Sequence, residues 1–254
     1  MKKSYLLLLL FSISFVFSQN DDREFEKMVN AEMRSAANLM SVQVNPNTQN
    51  YNVTYHRLDF TVDPAIYFIS GKVTTTYTAL SNMTTVTFDM ANELTVTTVK
   101  KNGVNLAFTE SGNNELVVTL PSTQITGTSA TLEITYSGEP PVNGFDAFTT
   151  QVRGNGSNTL YTLSEPFGAR DWWPCKQDLN DKVNSIDVYI TAPSQYIAVS
   201  NGVEPEAPVI SGGNKTTHFH HGYPIPAYLI CMAVTDYTVF TQTAGTAPNT
   251  FPIV

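Results

Sequence analysis

From Tyr51 onward, apolar and polar residues alternate along the chain with a period of two. Val53, Tyr55 and Arg57 fall on one face of an extended segment, and Thr54, His56 and Leu58 on the other; Leu58, Phe60 and Val62 then carry an apolar stripe onward. A period of two marks β-strands, whose side chains point alternately to opposite faces of a sheet. Asp63–Pro64 signals a turn. Ile69–Leu80, Thr85–Asp89, Leu94–Lys100, Glu115–Leu120 and Thr131–Tyr136 repeat the alternation, rich in the threonine and valine that suit a pleated surface. Asn102–Gly103 is a hairpin signal, because the tightest hairpin turns need positive φ at both central positions. Ser137–Asn158 is rich in Gly, Pro and Asn and reads as a loop. Further strands are expected at Thr159–Leu163, Ser185–Thr191, Tyr196–Val199, Thr216–His220 and Tyr228–Val234, with a polar segment over Thr241–Pro252. The pattern predicts an all-β fold: a large curved antiparallel sheet plus a smaller β-sandwich or barrel.

A short N-terminal helix is the exception. Between Asp21 and Met40, the residues Phe25, Met28, Val29, Met33 and Met40 recur at helical steps, and Asp21 and Asp22 sit where the helix dipole favours acids. Ser41–Asn50 is polar and reads as a linker. Ahead of the helix, MKKSYLLLLLFSISFVFS has a basic start, an apolar run and a small residue before Gln19. The run is too short and too terminal to span a membrane stably, and is expected to be a removed secretory signal; the alternative is an uncleaved N-terminal anchor. The predicted organisation is a signal peptide over 1–18, helix and linker over 19–50, and a β domain over 51–254. Export would place the protein in the periplasm, on the cell surface or in the medium.

Charge narrows the range of partners. Without Lys2 and Lys3, 12 basic residues face 22 acidic ones, a formal charge of −10. This argues against nucleic acid and against an anionic membrane surface. Export permits a disulfide. Cys175 and Cys231 nevertheless stand among apolar and aromatic neighbours, and the plainer reading is two buried thiols.

The stretch Ser164–Lys182, SEPFGARDWWPCKQDLNDK, departs from the strand pattern. It sets Trp172 and Trp173 side by side among Glu165, Arg170, Asp171 and Asp178, a mixture that requires charges to be paired or hydrogen-bonded where they are buried. Glu165 follows a strand and precedes Pro166, which restricts it to extended backbone. A carboxylate held in this way can receive a cation such as a primary ammonium; the plainer alternative is an internal salt bridge to Arg170 or Lys182. His218 and His220, two apart on a strand, share a face and could hold a metal, but no third ligand lies near them in the sequence, which favours ordinary surface or edge histidines. The Asn-x-Ser/Thr strings at Asn52, Asn82, Asn155 and Asn214 carry little weight in a sequence of bacterial look.

LYTLSEPFGARDWWPCKQDLNDK (Leu160–Lys182) resembles the N-terminal-domain signature of the aminopeptidase N family of zinc metallopeptidases. YNVTYHRLDFTVDP, SGKVTTTYTAL, LEITYSGEPP, VSNG and YPIPAYLICMAVTDY resemble its other segments, in the same order. The resemblance covers Tyr51 to the end. It implies that Glu165 reaches toward an active site and, with an acid of a catalytic domain, holds the free α-amino group of a peptide substrate. Leu163 stands where many relatives have a substrate-contacting glutamine, and Leu179 where they usually have proline. The family's zinc helix, its general base and its tetrahedral-intermediate tyrosine belong to that later domain. None of His56, His218, His220 or His221 begins a His-Glu-x-x-His string. The expectation is thus the N-terminal domain of an exported zinc aminopeptidase, with zinc bound by the catalytic domain of the full-length enzyme and this portion inactive by itself. The competing expectation is a free-standing β-sandwich that binds carbohydrate or protein.

Overall fold

The structure, a computed structural model, describes residues 44–143 and 146–253. The signal peptide and helix expected ahead of Ser41 lie outside the described residues. Val44–Val254 forms one compact unit.

An eight-stranded sheet dominates, in the order Val209–Ser211, Asn214–His221, Ser185–Pro193, Tyr51–Asp63, Ile66–Ala79, Ser129–Gly138, Leu94–Lys101 and Val104–Asn105. The sheet is mixed. Its pairings are antiparallel except at the centre, where Tyr51–Asp63 runs parallel to Ser185–Pro193 with Tyr55 opposite Ser185 and Thr61 opposite Thr191. A parallel pair needs a long crossover, here made by all the strands between. A four-stranded sheet (Ile197–Ser200, Met232–Thr235, Asn158–Thr162, Phe148–Val152) and a three-stranded sheet (Met83–Asp89, Glu115–Gln124, Phe108–Ser111) complete the core-forming layers.

The alternation of the first strand changes face midway. Tyr51 and Val53 are buried, and then His56, Leu58, Phe60 and Val62 are. A register shift between Val53 and Tyr55 opposite Ile66–Ala79 accounts for the switch, since one extra residue re-aims everything after it. Val53 and Tyr55 therefore do not share a face. Asn102 and Gly103 take φ of 53° and 78° and turn the chain between Leu94–Lys101 and Val104–Asn105, as the dipeptide predicts. Gly202 has φ of 97°, and a Cβ there would lie 2.1 Å from the carbonyl oxygen of His220, so the VSNG string needs its glycine.

Three expected boundaries shift. The loop over Ser137–Asn158 contains the strand Phe148–Val152, held by pairing with Asn158–Thr162. Tyr228–Val234 divides into a 3-10 turn, Ala227–Leu229, and the strand Met232–Thr235. The polar Thr241–Pro252 segment forms a ribbon, Gln242–Thr246 against Asn249–Ile253.

The core contains buried tyrosines whose hydroxyls are satisfied, as low-dielectric surroundings require. Tyr51 Oη donates to the Thr87 carbonyl at 2.7 Å, Tyr77 Oη to Gln124 Oε1 at 2.9 Å and Tyr136 Oη to the Trp172 carbonyl at 2.7 Å. Lys176 is buried too. Its Nζ donates to the Tyr51 carbonyl at 2.7 Å and pairs with Asp181 at 2.6 Å.

His56 is the one wholly desolvated imidazole among the described residues. It sits edge-on to Trp173 with Nδ1 3.0 Å from Thr75 Oγ1, and burial pushes its pKa from 6.5 down to about 3. A histidine that is neutral when folded and free to protonate when unfolded contributes stability above the unfolded pKa, and this is lost as pH falls. His56→Met should remove that dependence. Below pH 6.5 the unfolding free energy of the variant relative to wild type should rise by about 1.4 kcal/mol for each pH unit of acidification. Denaturant unfolding of both proteins across this range measures it, and parallel pH profiles would contradict a buried neutral His56.

Candidate functional site

The strand Asn158–Thr162 delivers the chain to the site. Beyond it the Leu163 N–H donates to the Ala147 carbonyl at 2.9 Å, and Gly168 N–H donates to the Ser164 carbonyl at 2.9 Å, closing a turn around Glu165. Ser164 is buried and its Oγ accepts from the Trp172 indole N–H at 2.8 Å. Glu165 is exposed, joined to Pro166 by a cis peptide bond. Downstream, the 3-10 turn Ala169–Asp171 leads into Trp172 and Trp173, both 0% exposed and packed on the first strand through Phe60 and His56.

Asp89, at the end of Met83–Asp89, secures the far side of the stretch. Its N–H and carbonyl pair with Cys175, and one carboxylate oxygen accepts the Gln177 N–H at 2.8 Å. Burial raises the Asp89 pKa, opposed by the hydrogen bonds from Gln177 and Asn45. Gln177 Oε1 in turn accepts the Arg170 N–H at 3.1 Å. Sequence reasoning did not single out Asp89; the signal available was an acid ending an otherwise apolar strand.

The internal salt bridge weighed for Glu165 is not formed. Arg170 lies 3.9 Å from Asp171, Lys182 is exposed, and among the described residues no side chain pairs with the Glu165 carboxylate. Beside Pro166 is a shallow indentation lined by Ala169, Gln177, Asp178, Ala227 and Tyr228. Leu163 is 54% exposed and Leu179 37%, so the two positions that depart from the resembled signature both face solvent. The arrangement presents an unneutralised carboxylate on a fixed backbone, able to accept hydrogen bonds from an incoming cation.

The Peptidase M1 N-terminal domain family matches residues 47–229. The chain belongs to this family. The resemblance read from Leu160–Lys182 and the flanking segments is thereby established. Glutamyl aminopeptidase of Mus musculus is 32% identical over 99 residues, 39% of this chain and 10% of that protein; the Homo sapiens enzyme is 34% identical over 95 residues, 37% and 10%. The M1 zinc metallopeptidase of Deinococcus radiodurans has a TM-score of 0.67 and 26% identity, covering 77% of this chain and 44% of that one. A mutant of it bound to a Tyr-Ser-Ala substrate has a TM-score of 0.66 at 23% identity, covering 80% and 47%. The chain thus spans about a tenth of the curated relatives and under half of the solved ones.

Zinc does not fit the donors of this M1 domain. Among the described residues no three His, Cys, Asp or Glu side chains are placed to hold a metal ion. His218 and His220 share a face as their spacing predicts, but both point at one carboxylate: Asp187 Oδ1 lies 2.8 Å from His218 Nε2 and 2.9 Å from His220 Nδ1, and Tyr55 Oη donates to Oδ2 at 2.7 Å. Val209–Ser211 covers their strand only from Asn214 to Thr216; beyond that a single bridge from Val203 meets His220, which is surface-exposed. His218 also stacks on Tyr189 at 4.1 Å. The cysteines are both free, and Cys231 is exposed rather than buried: it lies between the 3-10 turn Ala227–Leu229 and the strand Met232–Thr235, with its backbone tied by Asn201 and Ser200.

His218 Nδ1 reaches Glu206 at 2.7 Å while Nε2 reaches Asp187, and only an imidazolium can donate from both nitrogens. Burial disfavours that charge, but the hydrogen bonds to Asp187 and Glu206 outweigh it and hold the pKa above 6.5. The contribution to stability is complete below pH 6.5 and is lost as pH rises through the raised value. In Glu206→Gln the His218 midpoint should fall, as read by nuclear magnetic resonance titration of the imidazole. An unchanged midpoint would show that Glu206 does not hold the ring.

Proposed function

We propose that this chain is the substrate-amine-anchoring domain of an exported zinc aminopeptidase that releases N-terminal amino acids from peptides. The observation that carries the reading is Glu165: an exposed carboxylate without a side-chain partner among the described residues, on a backbone fixed at both ends, within the M1 match. A free α-ammonium is the cation that chemistry suits, and the anchored peptide would present its first peptide bond at a fixed distance. The relatives support the substrate class, since the curated ones are glutamyl aminopeptidases and one solved neighbour holds a Tyr-Ser-Ala substrate. Zinc-assisted hydrolysis is assigned to the catalytic domain of the full-length protein, whose packing against this domain would complete the site. Family membership favours this reading over a free-standing binding module. The apolar run after Lys3 supports export.

In the full-length protein, Glu165→Ala should lower kcat/KM for free-amine substrates roughly ten- to a hundredfold. This corresponds to the 1.5–3 kcal/mol order of magnitude of a charged hydrogen bond. Zinc content should be unchanged, and Glu204→Ala, an exposed acid outside the signature, should be close to wild type. Steady-state kinetics and metal analysis decide the matter; full activity in Glu165→Ala would make the glutamate structural. The isolated chain should hydrolyse no aminoacyl anilide and bind no stoichiometric zinc. Tight zinc binding to it would redirect attention to His218 and His220.

A further inference from the structure

We infer that Ser164 is a positioning residue for Glu165: its hydroxyl, locked to the buried Trp172 indole, sets where the neighbouring carboxylate stands. The inference rests on the reading of Glu165 as the amine anchor.

No side chain among the described residues grips the Glu165 carboxylate. Its location therefore comes from its own backbone. On one side Pro166 restricts that backbone. On the other is Ser164, only 3% exposed, bonded at two atoms: the carbonyl accepts from Gly168 N–H at 2.9 Å, and Oγ accepts from Trp172 Nε1 at 2.8 Å. The first bond closes the local turn and moves with it. The second ties the turn to the core.

Trp172 is a fixed post. It is wholly buried, its ring lies 5.2 Å from that of Phe60 and 6.0 Å from that of Trp173, and its carbonyl accepts from Tyr136 Oη at 2.7 Å. Phe60 belongs to the central strand Tyr51–Asp63 and Tyr136 to Ser129–Gly138 of the same sheet. A continuous set of contacts thus runs from the large sheet through one indole N–H to the residue before Glu165. Loss of the Ser164 hydroxyl leaves that N–H without its acceptor in a dry core and frees the turn to shift, and a displacement of about 1 Å at a binding group is enough to lower a rate markedly.

The test uses the full-length protein with Ser164→Ala, Ser164→Thr and Glu165→Ala. Each variant is assayed for inhibition by leucine, and by isocaproate, the same molecule without its amine. Thermal melts accompany the assays. Ser164→Ala should weaken leucine about three- to tenfold, the size of one lost neutral hydrogen bond, while isocaproate is unaffected. Ser164→Thr keeps the hydroxyl and should restore leucine binding. Two results would overturn the inference while leaving Glu165 in its role: a folded Ser164→Ala that binds leucine like wild type, or equal weakening of both inhibitors, which marks a merely structural residue. If Glu165→Ala itself spares leucine, the amine-anchor reading fails and the positioning role falls with it.

Discussion

Two adjacent indoles can both be buried only if the irregular backbone carrying them brings its own hydrogen-bond partners into the core. That constraint governs the architecture from Leu163 to Lys182. Trp172 and Trp173 each donate a backbone N–H to the Ala169 carbonyl, Tyr136 caps the Trp172 carbonyl, and Asp89 takes over with Cys175 and Gln177. Large aromatics contribute several kcal/mol of apolar burial each, and a loop without those partners would forfeit much of it through stranded polar groups. The Trp173 indole nitrogen is one such group, without a partner among the described residues.

The same packing explains why the candidate site consists of one exposed acid beside a dense interior. Lys176 and Asp181, on the same stretch, neutralise each other below the surface, and Arg170 lies toward Asp171. Glu165 is left out of this internal pairing. Arg170 and Lys176 face other acids of the stretch and Lys182 stands exposed without reaching Glu165, so the carboxylate remains available to an outside charge. Asp187 is the opposite case: three protein donors converge on it and hold its pKa below the ordinary carboxylate value despite burial.

Much of the strand inventory was legible because alternation is local. Asn102–Gly103 was legible because its conformational demand is chemical. The bulge after Val53 was not, since both registers place apolar residues on a face and only pairing with Ile66–Ala79 chooses between them. The parallel pairing of the first strand was equally hidden, because it joins residues far apart in sequence with no turn to announce it. At the site, Pro166 and the indoles revealed a rigid acid, whereas the absence of a salt bridge depended on side-chain directions that spacing does not fix: Arg170 lies toward its neighbour Asp171, and Lys182 stands exposed. The His218 and His220 spacing was readable, but Asp187 alone on a strand resembles any solvated acid until the sheet sets it opposite them.

The parallel joint at the centre of the large sheet has a consequence for how the chain is made. Tyr51–Asp63 can pair with Ile66–Ala79 as soon as both have emerged, but its other edge waits for Ser185–Pro193. During synthesis, more than half of the described domain is present while a long strand with apolar residues on its inward face still has one row of backbone groups unclaimed. Such an edge is a template for pairing with another chain. The sheet closes only when its late strands arrive, so this domain belongs to the proteins whose nascent state, rather than whose native state, most needs shielding from its neighbours.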